Sequence, residues 1–244
     1  MRKFGLIGFP LTHSFSKKYF AEKFIRDKIE DAIYELYPIP VIEEFPSLVN
    51  RIGPELRGLN VTIPYKKAVI PFLDALSPAT RAIGAVNTIV FRDGKTMGHN
   101  TDAIGFEESL RLWYDARTSR ALVLGDGGSA QAVKYVLHKL GIPFQTVSRQ
   151  QKERTITYDE LDGTLLSDCT LIVNTTPLGM YPNVETCPPM DYSVLGKGHY
   201  LYDLVYNPEK TTFLAKGEAR GCRIINGLDM LHRQAEAAWI IWNS

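Results

Sequence analysis

The chain has 244 residues, 45% of them hydrophobic and 23% charged, which is enough for two domains that each bury a core. Its 28 Lys and Arg residues nearly cancel its 27 Asp and Glu residues, so no overall field attracts a nucleic-acid backbone or an anionic membrane. Any anionic partner must therefore be held by a local group of residues.

The N-terminal part of the chain alternates strands with helices. Apolar runs at residues 4–8, 32–37 and 56–62 predict strands, and a helix is expected at residues 41–52. This order predicts a largely parallel sheet covered on both faces, with ligands bound outside the carboxyl ends of its strands. The polar side chains expected to converge on one cleft there are Ser14, Ser16, Asn60, Thr62 and Lys66.

Two serines stand at the start of the helix that follows the first strand. Aromatic side chains from Phe15 to Phe24 repeat at helical spacing, so Ser14 or Ser16 is a candidate N-cap. In the alternative interpretation, both hydroxyls and the free N–H groups of the helix start bind a carboxylate.

Lys66 comes shortly after the third strand. Pro64 suits the first position of a helix, which predicts that Lys66 falls in the first helical turn. Because unpaired N–H groups make that end positive, a lysine there is disfavoured unless an anion or a reacting oxygen lies beside it. The alternative is that Lys66, like Lys67, is only solvated.

A β-hairpin with a D-G turn is predicted between residues 84 and 102. Asn87 and Asp102 fall near its two outer ends. Asp102 also begins a helical stretch, which makes it a candidate N-cap. Directed at Lys66, its carboxylate would instead form a proton-transfer couple with the amine.

After a polar connector at residues 113–119, where we expect a domain boundary, the chain carries a dinucleotide-binding fingerprint. A strand at residues 120–124, the pattern G-x-G-x-x-A and a helix at residues 131–140 follow in the order that the motif requires. The glycines permit a tight turn and the approach of the backbone to a pyrophosphate. The residues predicted to hold the cofactor here are Gly125, Asp126, Gly127, Gly128 and Ser129.

The next strand ends in Ser148 and Arg149. An NAD site usually places an acid at this point, whereas an NADP site supplies arginine for the 2′-phosphate. No acid occurs before Glu153, so Ser148 and Arg149 predict NADP. The alternative is an ordinary basic loop.

Three later segments complete the predicted site. A buried strand leads into Thr175 at the cofactor edge of the sheet, and a strand from residue 200 directs Tyr206 toward the interdomain gap. Tyr206 is otherwise a core or interface tyrosine. Gln234 interrupts the apolar pattern of the C-terminal helix and would ordinarily lie on the solvent-exposed edge of that helix.

Taken in order, these motifs resemble those of the shikimate dehydrogenase family nearly from end to end. The stretches that carry the resemblance are Gly8-Phe9-Pro10, His13-Ser14-Phe15-Ser16, residues 58–66, 84–88, 98–102, 125–129, 174–180 and 203–208, Gly227, Met230-Leu231 and Gln234-Ala235. Several separate motifs in one fixed order make the resemblance specific.

The resemblance implies an α/β fold of two domains with a cleft between them. Residues 1–103 plus 229–244 would form an α/β substrate domain with a mostly parallel sheet, and residues 104–228 a Rossmann-type NADP-binding domain. The implied reaction is NADPH-dependent reduction of 3-dehydroshikimate to shikimate, with Lys66 and Asp102 as the catalytic pair.

The resemblance also assigns the other site residues. Ser14 and Ser16 would hold the substrate carboxylate, and Leu204 and Gly227 would line the nicotinamide side of the NADP site. The further substrate-side positions that it implies are Asn60, Thr62, Asn87, Tyr206 and Gln234.

The sequence departs from the common family pattern at several positions. Lys17 replaces a frequent proline, Phe20-Ala21 stands where His-Asn is usual, and Asp126 puts a carboxylate beside the pyrophosphate turn, where repulsion would weaken cofactor binding. The nearest alternative is a quinate/shikimate dehydrogenase of broader substrate or cofactor use, against which the two serines and Arg149 argue. The alternative of another class is a non-catalytic regulator that binds NADP and a shikimate-like ligand.

Compartment and partners follow from simpler features. Cys169, Cys187 and Cys222 form no C-x-x-C pair and indicate a reducing compartment, with the cytoplasm as the default. The apolar segments at residues 4–9 and 237–242 are too short for a signal peptide or a membrane span. We expect a small-molecule substrate, no metal, no membrane or nucleic-acid partner, and a monomer or homodimer.

Overall fold

The computed structural model describes residues 1–11, 14–115 and 120–244. The chain packs as two compact units, one of Met1–Thr101 together with Ala235–Ser244 and one of Asp102–Gln234. Each unit combines helices with a mostly parallel sheet, so the predicted α/β class is confirmed. The predicted domain limits stay predictions, and most of the expected connector lies outside the described residues.

The first unit contains a six-stranded sheet. Its strands are β1 (Arg2–Gly8), β2 (Ala32–Pro38), β3 (Leu56–Val61), β4 (Ala75–Leu76), β5 (Thr88–Arg92) and β6 (Lys95–His99). Their order across the sheet is β2-β1-β3-β5-β6-β4. Only β5 runs antiparallel to its neighbours among these described strands. The predicted hairpin is therefore confirmed as β5 and β6, and Asp93 and Gly94 in its turn both have positive φ.

This sheet has an apolar core on each face, because successive side chains of a strand point to opposite sides. On β1, Phe4 and Leu6 join a cluster with Phe20 and Trp242, whereas Ile7 joins the cluster on the other face. The helices that cover the faces are α1 (Phe15–Arg26), α2 (Phe45–Ile52) and α3 (Pro78–Ile83).

The second unit contains a six-stranded sheet in which all neighbouring strands are parallel. Its strands are β7 (Ala121–Leu124), β8 (Phe144–Val147), β9 (Thr155–Ile156), β10 (Leu171–Asn174), β11 (Tyr200–Asp203) and β12 (Arg223–Ile225). The order β9-β8-β7-β10-β11-β12 is the doubly wound order of dinucleotide-binding domains. In such sheets the ligand lies where the order reverses, which here is at the carboxyl ends of β7 and β10.

The helices that complete the fold are α4 (Thr101–Trp113), α5 (Gly128–Lys139), α6 (Gly163–Asp168), α7 (Thr212–Ala219) and α8 (Leu228–Asn243). α4 begins at the last residue of the N-terminal segment of the first unit, and α8 returns to that unit from Ala235 onward. The core of the second unit includes Leu122, Ile172 and Phe213, all fully buried.

The helix predicted from Pro64 onward is wrong. The chain forms successive turns there, because Pro71 follows so soon that the intervening segment is too short to nucleate a stable helix. The argument that Lys66 lies at the positive end of a helix therefore no longer applies. The position of Lys66 has to be explained by tertiary hydrogen bonds.

Two predicted element limits also differ from the structure. The helix expected from residue 41 begins at Phe45, because Pro46 fits only its first turn. The strand expected to reach Tyr206 ends at Asp203, where the backbone N–H of Val205 donates to the Asp203 carboxylate (3.0 Å) and turns the chain.

Candidate active site

A series of buried polar side chains runs through the first unit. Asn60 on β3 is 6% exposed and accepts a hydrogen bond at its Oδ1 from the Tyr34 hydroxyl (2.8 Å). Its Nδ2 donates to the Asn87 carbonyl oxygen (3.3 Å) and to Thr88 Oγ1 (3.2 Å). Because both amide protons are used, Asn60 has only an acceptor lone pair left for a ligand.

Ser14 and Ser16 occupy different places at the head of α1. Ser14 is the N-cap, since its Oγ accepts a hydrogen bond from the backbone N–H of Lys17 (3.3 Å). Ser16 lies in the first turn of α1 and is half-buried. The capping interpretation therefore holds for Ser14 alone. His13 lies outside the described residues.

Thr62 leaves β3 beside the end of β1. Its backbone N–H donates to the carbonyl oxygen of Ile7 (2.9 Å). A methyl carbon added to Gly8 would lie 2.5 Å from Thr62 Cγ2, so the glycine lets the threonine pack against the turn.

The turn that carries Lys66 is held by the residues that precede β5. The Lys66 carbonyl oxygen accepts a hydrogen bond from the backbone N–H of Val86 (2.7 Å). The next residue, Asn87, accepts from the backbone N–H of Thr101 (2.7 Å) and donates to its hydroxyl (3.0 Å). Two consecutive residues thus fix both the turn of Lys66 and the residue that precedes Asp102.

Asp102 is 7% exposed and lies in the first turn of α4. A carboxylate at this end of a helix interacts favourably with the helix dipole. Because α4 already begins at Thr101, Asp102 is inside the helix, and the prediction that it caps the helix is wrong.

The glycine-rich turn after β7 has a backbone conformation that depends on its glycines. Gly125 has a φ of +107°, and a methyl carbon there would lie 2.6 Å from Thr175 Oγ1, so only glycine fits. Gly127 caps α5 without a side-chain hydrogen bond, and nothing lies within 4 Å of a carbon added to it. The helix start, with Gly128 and Ser129 in its first turn, therefore offers N–H groups to a pyrophosphate.

Asp126, in the same turn, is paired with two lysines. Its carboxylate accepts hydrogen bonds from Lys134 Nζ (2.8 Å), Lys152 Nζ (3.1 Å) and Gln131 Nε2 (3.2 Å). Partial burial raises the pKa of Asp126, but the two lysines outweigh burial and bring this pKa down to about 2. The charge that was expected to repel a pyrophosphate is therefore offset locally.

The loop after β8 supplies an uncompensated cation. Ser148 is buried, and its Oγ accepts a hydrogen bond from the backbone N–H of Gln150 (3.4 Å). Arg149 is exposed, and in the part of the chain that the structure describes no carboxylate pairs with it. A guanidinium at this position fits the 2′-phosphate of NADP, so the residues present suit that cofactor.

The two residues predicted for the nicotinamide side lie against each other. A methyl carbon on Gly227 would lie 2.2 Å from the Leu204 carbonyl oxygen. The backbone N–H of Gly227 also donates to the carbonyl oxygen of Val205 (3.2 Å). The start of α8 is therefore packed directly on the segment that follows β11.

Tyr206 and Gln234, the other predicted substrate residues of the second unit, differ in burial. Tyr206 is half-buried, and burial raises the pKa of its phenol. Gln234 is 8% exposed and donates from Nε2 to the Leu231 carbonyl oxygen (2.9 Å). The interpretation of Gln234 as a residue on the solvent-exposed edge of α8 is therefore wrong.

Sequence reasoning missed Tyr34 and Asp203. Asp203 is fully buried and accepts hydrogen bonds from Thr211 Oγ1 (2.6 Å) and Asn174 Nδ2 (3.0 Å). Burial raises the pKa of its carboxyl to about 6, although these donors partly oppose the shift. An aspartate that ends an apolar strand resembles an ordinary turn residue, so only its tertiary partners distinguish it.

Comparison with known proteins decides the family. A family model described as the shikimate dehydrogenase substrate binding domain matches residues 6–89. The shikimate dehydrogenase (NADP(+)) of Moorella thermoacetica is 37% identical to this chain over an alignment that covers 98% of this chain and 86% of that protein. This chain belongs to the shikimate dehydrogenase family.

Solved structures share the fold of this shikimate dehydrogenase family member. Shikimate 5-dehydrogenase of Thermus thermophilus, in complex with NADP(H) and shikimate, has a TM-score of 0.88 at 30% identity, covering 99% of this chain and 93% of that one. The ligand-free 5-ketofructose reductase of a Gluconobacter species has a TM-score of 0.84 at 27% identity, covering 99% and 92%. The fold thus carries more than one substrate, so the choice of substrate has to be argued from side chains.

Three further observations concern the described residues of this family member. No helix in residues 1–11, 14–115 or 120–244 is long and apolar enough to cross a membrane. Within the same ranges, no group of three or more His, Cys, Asp or Glu side chains is placed to hold a metal ion. The cysteines that the structure gives as free thiols are Cys169, Cys187 and Cys222.

Proposed function

We propose that this chain is an NADP-dependent shikimate dehydrogenase that catalyses the reversible reduction of 3-dehydroshikimate to shikimate. The observation that carries the proposal is the pair of hydrogen bonds made by Val86 and Asn87. They hold the turn of Lys66 and the residue before Asp102, and so support these two side chains as the catalytic pair. The names of the relatives support the substrate and the cofactor.

Lys66 is assigned the role of general acid. When bound, NADPH supplies the hydride for the ketone carbon. The Lys66 ammonium donates a proton to the ketone oxygen, and the Asp102 carboxylate holds that ammonium in place. A positioned acid of this kind contributes on the order of 10²- to 10⁴-fold to the rate.

The remaining side chains are assigned to binding. Ser14 and Ser16 hold the substrate carboxylate, while Arg149 and Ser148 hold the 2′-phosphate of NADP. Further substrate contacts are assigned to Asn60, Thr62, Asn87, Tyr206 and Gln234. The remaining cofactor contacts are assigned to Gly125, Asp126, Gly127, Gly128, Ser129, Thr175, Leu204 and Gly227.

We also propose that the enzyme works in the cytoplasm. Its three cysteines are free thiols in the structure, which suits a reducing compartment. Locating a tagged full-length chain by cell fractionation tests this assignment, and recovery with an oxidising compartment would contradict it.

The function is tested by incubating the purified chain with shikimate and NADP+ and following the absorbance of NADPH. Lys66→Met is expected to lower kcat by at least 10²-fold with a much smaller change in the KM for shikimate. Lys67→Met is the matched control, because Lys67 is exposed one residue away and should retain activity. A near-normal kcat in Lys66→Met would remove Lys66 from the chemistry.

Substrate and cofactor choice are tested in the same assay. Values of kcat/KM are compared for shikimate and quinate with NADP+ and with NAD+, and for 5-ketofructose with NADPH. We expect shikimate with NADP+ to be preferred. Comparable turnover of quinate would favour the broader quinate/shikimate dehydrogenase activity. Binding of shikimate and NADP+ without turnover would favour the alternative of a non-catalytic regulator.

A further inference from the structure

Asp203, the last residue of β11, holds the turn that leads into Leu204 and Val205. It is fully buried, and its Oδ1 accepts hydrogen bonds from the backbone N–H of Val205 (3.0 Å) and from Asn174 Nδ2 (3.0 Å). Its Oδ2 accepts a hydrogen bond from Thr211 Oγ1 (2.6 Å). A side-chain oxygen that accepts from the N–H two residues further on closes a turn as a backbone carbonyl would. The carboxylate therefore sets the direction in which the chain leaves β11.

The carboxylate is itself held by two neighbours of fixed orientation. Asn174, at the end of β10, accepts at its Oδ1 from the backbone N–H (3.1 Å) and the hydroxyl (2.7 Å) of Thr176, so its Nδ2 is directed at Asp203. Thr211 accepts the capping N–H of Leu214 (3.3 Å) at the start of α7 and gives its hydroxyl proton to Asp203. The side chain is thus held from β10 and from α7.

One peptide group depends on this carboxylate for its orientation. The bonds on either side are made by the backbone, since the Leu204 N–H donates to the Asn174 carbonyl oxygen (2.9 Å) and the Val205 carbonyl oxygen accepts from the Gly227 N–H (3.2 Å). The Val205 N–H, in a residue that is 6% exposed, donates to Asp203. Because a peptide group is planar, this bond also fixes the Leu204 carbonyl oxygen, which is the atom that packs against Gly227.

The strand order puts this turn on the nicotinamide half of the proposed cofactor site. The strand β8, which leads to Arg149, lies on one side of β7 and its glycine turn, whereas β10 and β11 lie on the other side. Because Arg149 is assigned the 2′-phosphate of the adenosine half, the nicotinamide half extends over the carboxyl ends of β10 and β11. Asp203 is fully buried at that edge, so it acts through the residues that follow it and not by contact with the cofactor.

We propose that Asp203 is a positioning residue for the nicotinamide half of the cofactor. This inference rests on the proposed function, in which Leu204 and Gly227 line that half. By fixing the peptide between Leu204 and Val205, the carboxylate provides a surface that is already ordered before the cofactor binds. What matters is an acceptor oxygen at this point of the turn, so the negative charge itself is dispensable.

The test is Asp203→Ala, which removes every acceptor from the turn. The cofactor must then order the segment as it binds, at the cost of about one hydrogen bond, so we expect the Kd for NADP+ to rise about fivefold. The Kd for adenosine 2′,5′-bisphosphate, which lacks the nicotinamide half, should stay within about twofold of wild type. Isothermal titration calorimetry measures both values without turnover. We also expect kcat to fall about tenfold, because a misplacement of about 1 Å at the reacting groups already costs on the order of 10²-fold.

Asp203→Asn is the conservative variant. Its side-chain oxygen can accept from Asn174 and Val205 while its amide nitrogen donates to Thr211 Oγ1. It should therefore keep the Kd for NADP+ within about twofold of wild type. Asp203→Ser, whose hydroxyl holds a turn of this kind more weakly, should give a Kd between those of the Asn and Ala variants, and it carries the test if Asp203→Ala does not fold.

Tyr202→Phe is the matched control, because Tyr202 precedes Asp203 on β11 and its buried hydroxyl donates to Ser109 Oγ (2.9 Å). It should lose stability without a change in either Kd. The proposal is overturned if Asp203→Ala binds NADP+ as wild type does, or, where that variant does not fold, if Asp203→Ser binds it as Asp203→Asn does. It is also overturned if the Kd for adenosine 2′,5′-bisphosphate rises equally, or if Asp203→Asn binds NADP+ as weakly as Asp203→Ala.

The wild-type chain separates this inference from the proposed function. A wild-type chain that binds NADP+ but does not oxidise shikimate refutes the proposed activity, and the two Kd values still test Asp203. A wild-type chain that does not bind NADP+ refutes both.

Discussion

Gly227 offers a sharp test of the nicotinamide side of the proposed site. In Gly227→Ala, the added carbon would lie 2.2 Å from the carbonyl oxygen of Leu204, 2.7 Å from its carbonyl carbon and 3.1 Å from its Cα. A carbon and a carbonyl oxygen normally approach to about 3.3 Å, so the two backbones must separate by about 1 Å. All three contacts are to backbone atoms, so no side-chain rotation relieves them.

The size of the effect follows from this displacement. Overpacking of this kind costs about 1–3 kcal/mol of stability, which corresponds to a fall in Tm of roughly 3–10 °C for a unit of this size. A displacement of about 1 Å beside the reacting groups costs on the order of 10²-fold in rate. We therefore expect kcat to fall far more than the modest loss of stability would explain.

The assay measures steady-state kcat with shikimate and NADP+ alongside thermal unfolding followed by circular dichroism. Gly196→Ala is the control, because a carbon added at Gly196 meets nothing within 4 Å, and it should change neither quantity. If Gly227→Ala keeps kcat within twofold of wild type, the close packing of Leu204 on Gly227 has no part in placing the cofactor.

Asp126→Asn should lower the Kd for NADP+ about fivefold, because it removes a negative charge from the glycine turn and leaves the ammonium groups of Lys134 and Lys152 beside it. A fluorescence titration measures this Kd, and weaker binding would contradict the expectation. Folding raises the carboxyl pKa of Asp203 from the ordinary value of 3.8 to about 6, so between these two pH values the folded chain holds a proton that the unfolded chain has lost. The free energy of unfolding of wild type, relative to that of Asp203→Asn, should therefore fall as pH rises from 3.8 to about 6 and level off above that pH. Denaturant unfolding from pH 4 to 8 measures this, and a pH-independent difference would refute it. Gly58→Ala would place a carbon 2.2 Å from Trp242 Nε1, so we expect a loss of about 1–3 kcal/mol in the free energy of unfolding; an unchanged denaturation midpoint would argue against this packing.

Features set by neighbours in sequence were predictable. The glycine turn at Gly125 needs a positive φ, which only a few local residues supply, and the Asp93-Gly94 turn fixes the register of its own hairpin. The alternation of strands and helices was enough to predict the mostly parallel sheet of the first unit. In these cases the determining interactions lie within a few residues of each other.

Features set by distant partners were not predictable. Lys134 and Lys152 offset the charge of Asp126 from α5 and from the loop after β8, and no local pattern shows that these ammonium groups meet. Asp203 likewise depends on Asn174, which lies 29 residues away. The error at Lys66 had the opposite origin, since a favourable local signal from Pro64 was overridden by a segment too short to nucleate.

The hydrogen bonds at Val86 and Asn87 show how an irregular turn can be held in place around the proposed acid. Lys66 lies in neither a helix nor a strand, so backbone periodicity does not fix it. Its carbonyl oxygen is tied to Val86, and Asn87 holds Thr101 through two bonds. Val86 and Asn87 are consecutive and directly precede β5, so the Lys66 turn and Thr101 are tied to the same two residues. One short segment before β5 therefore anchors both the turn of the proposed acid and the residue before Asp102.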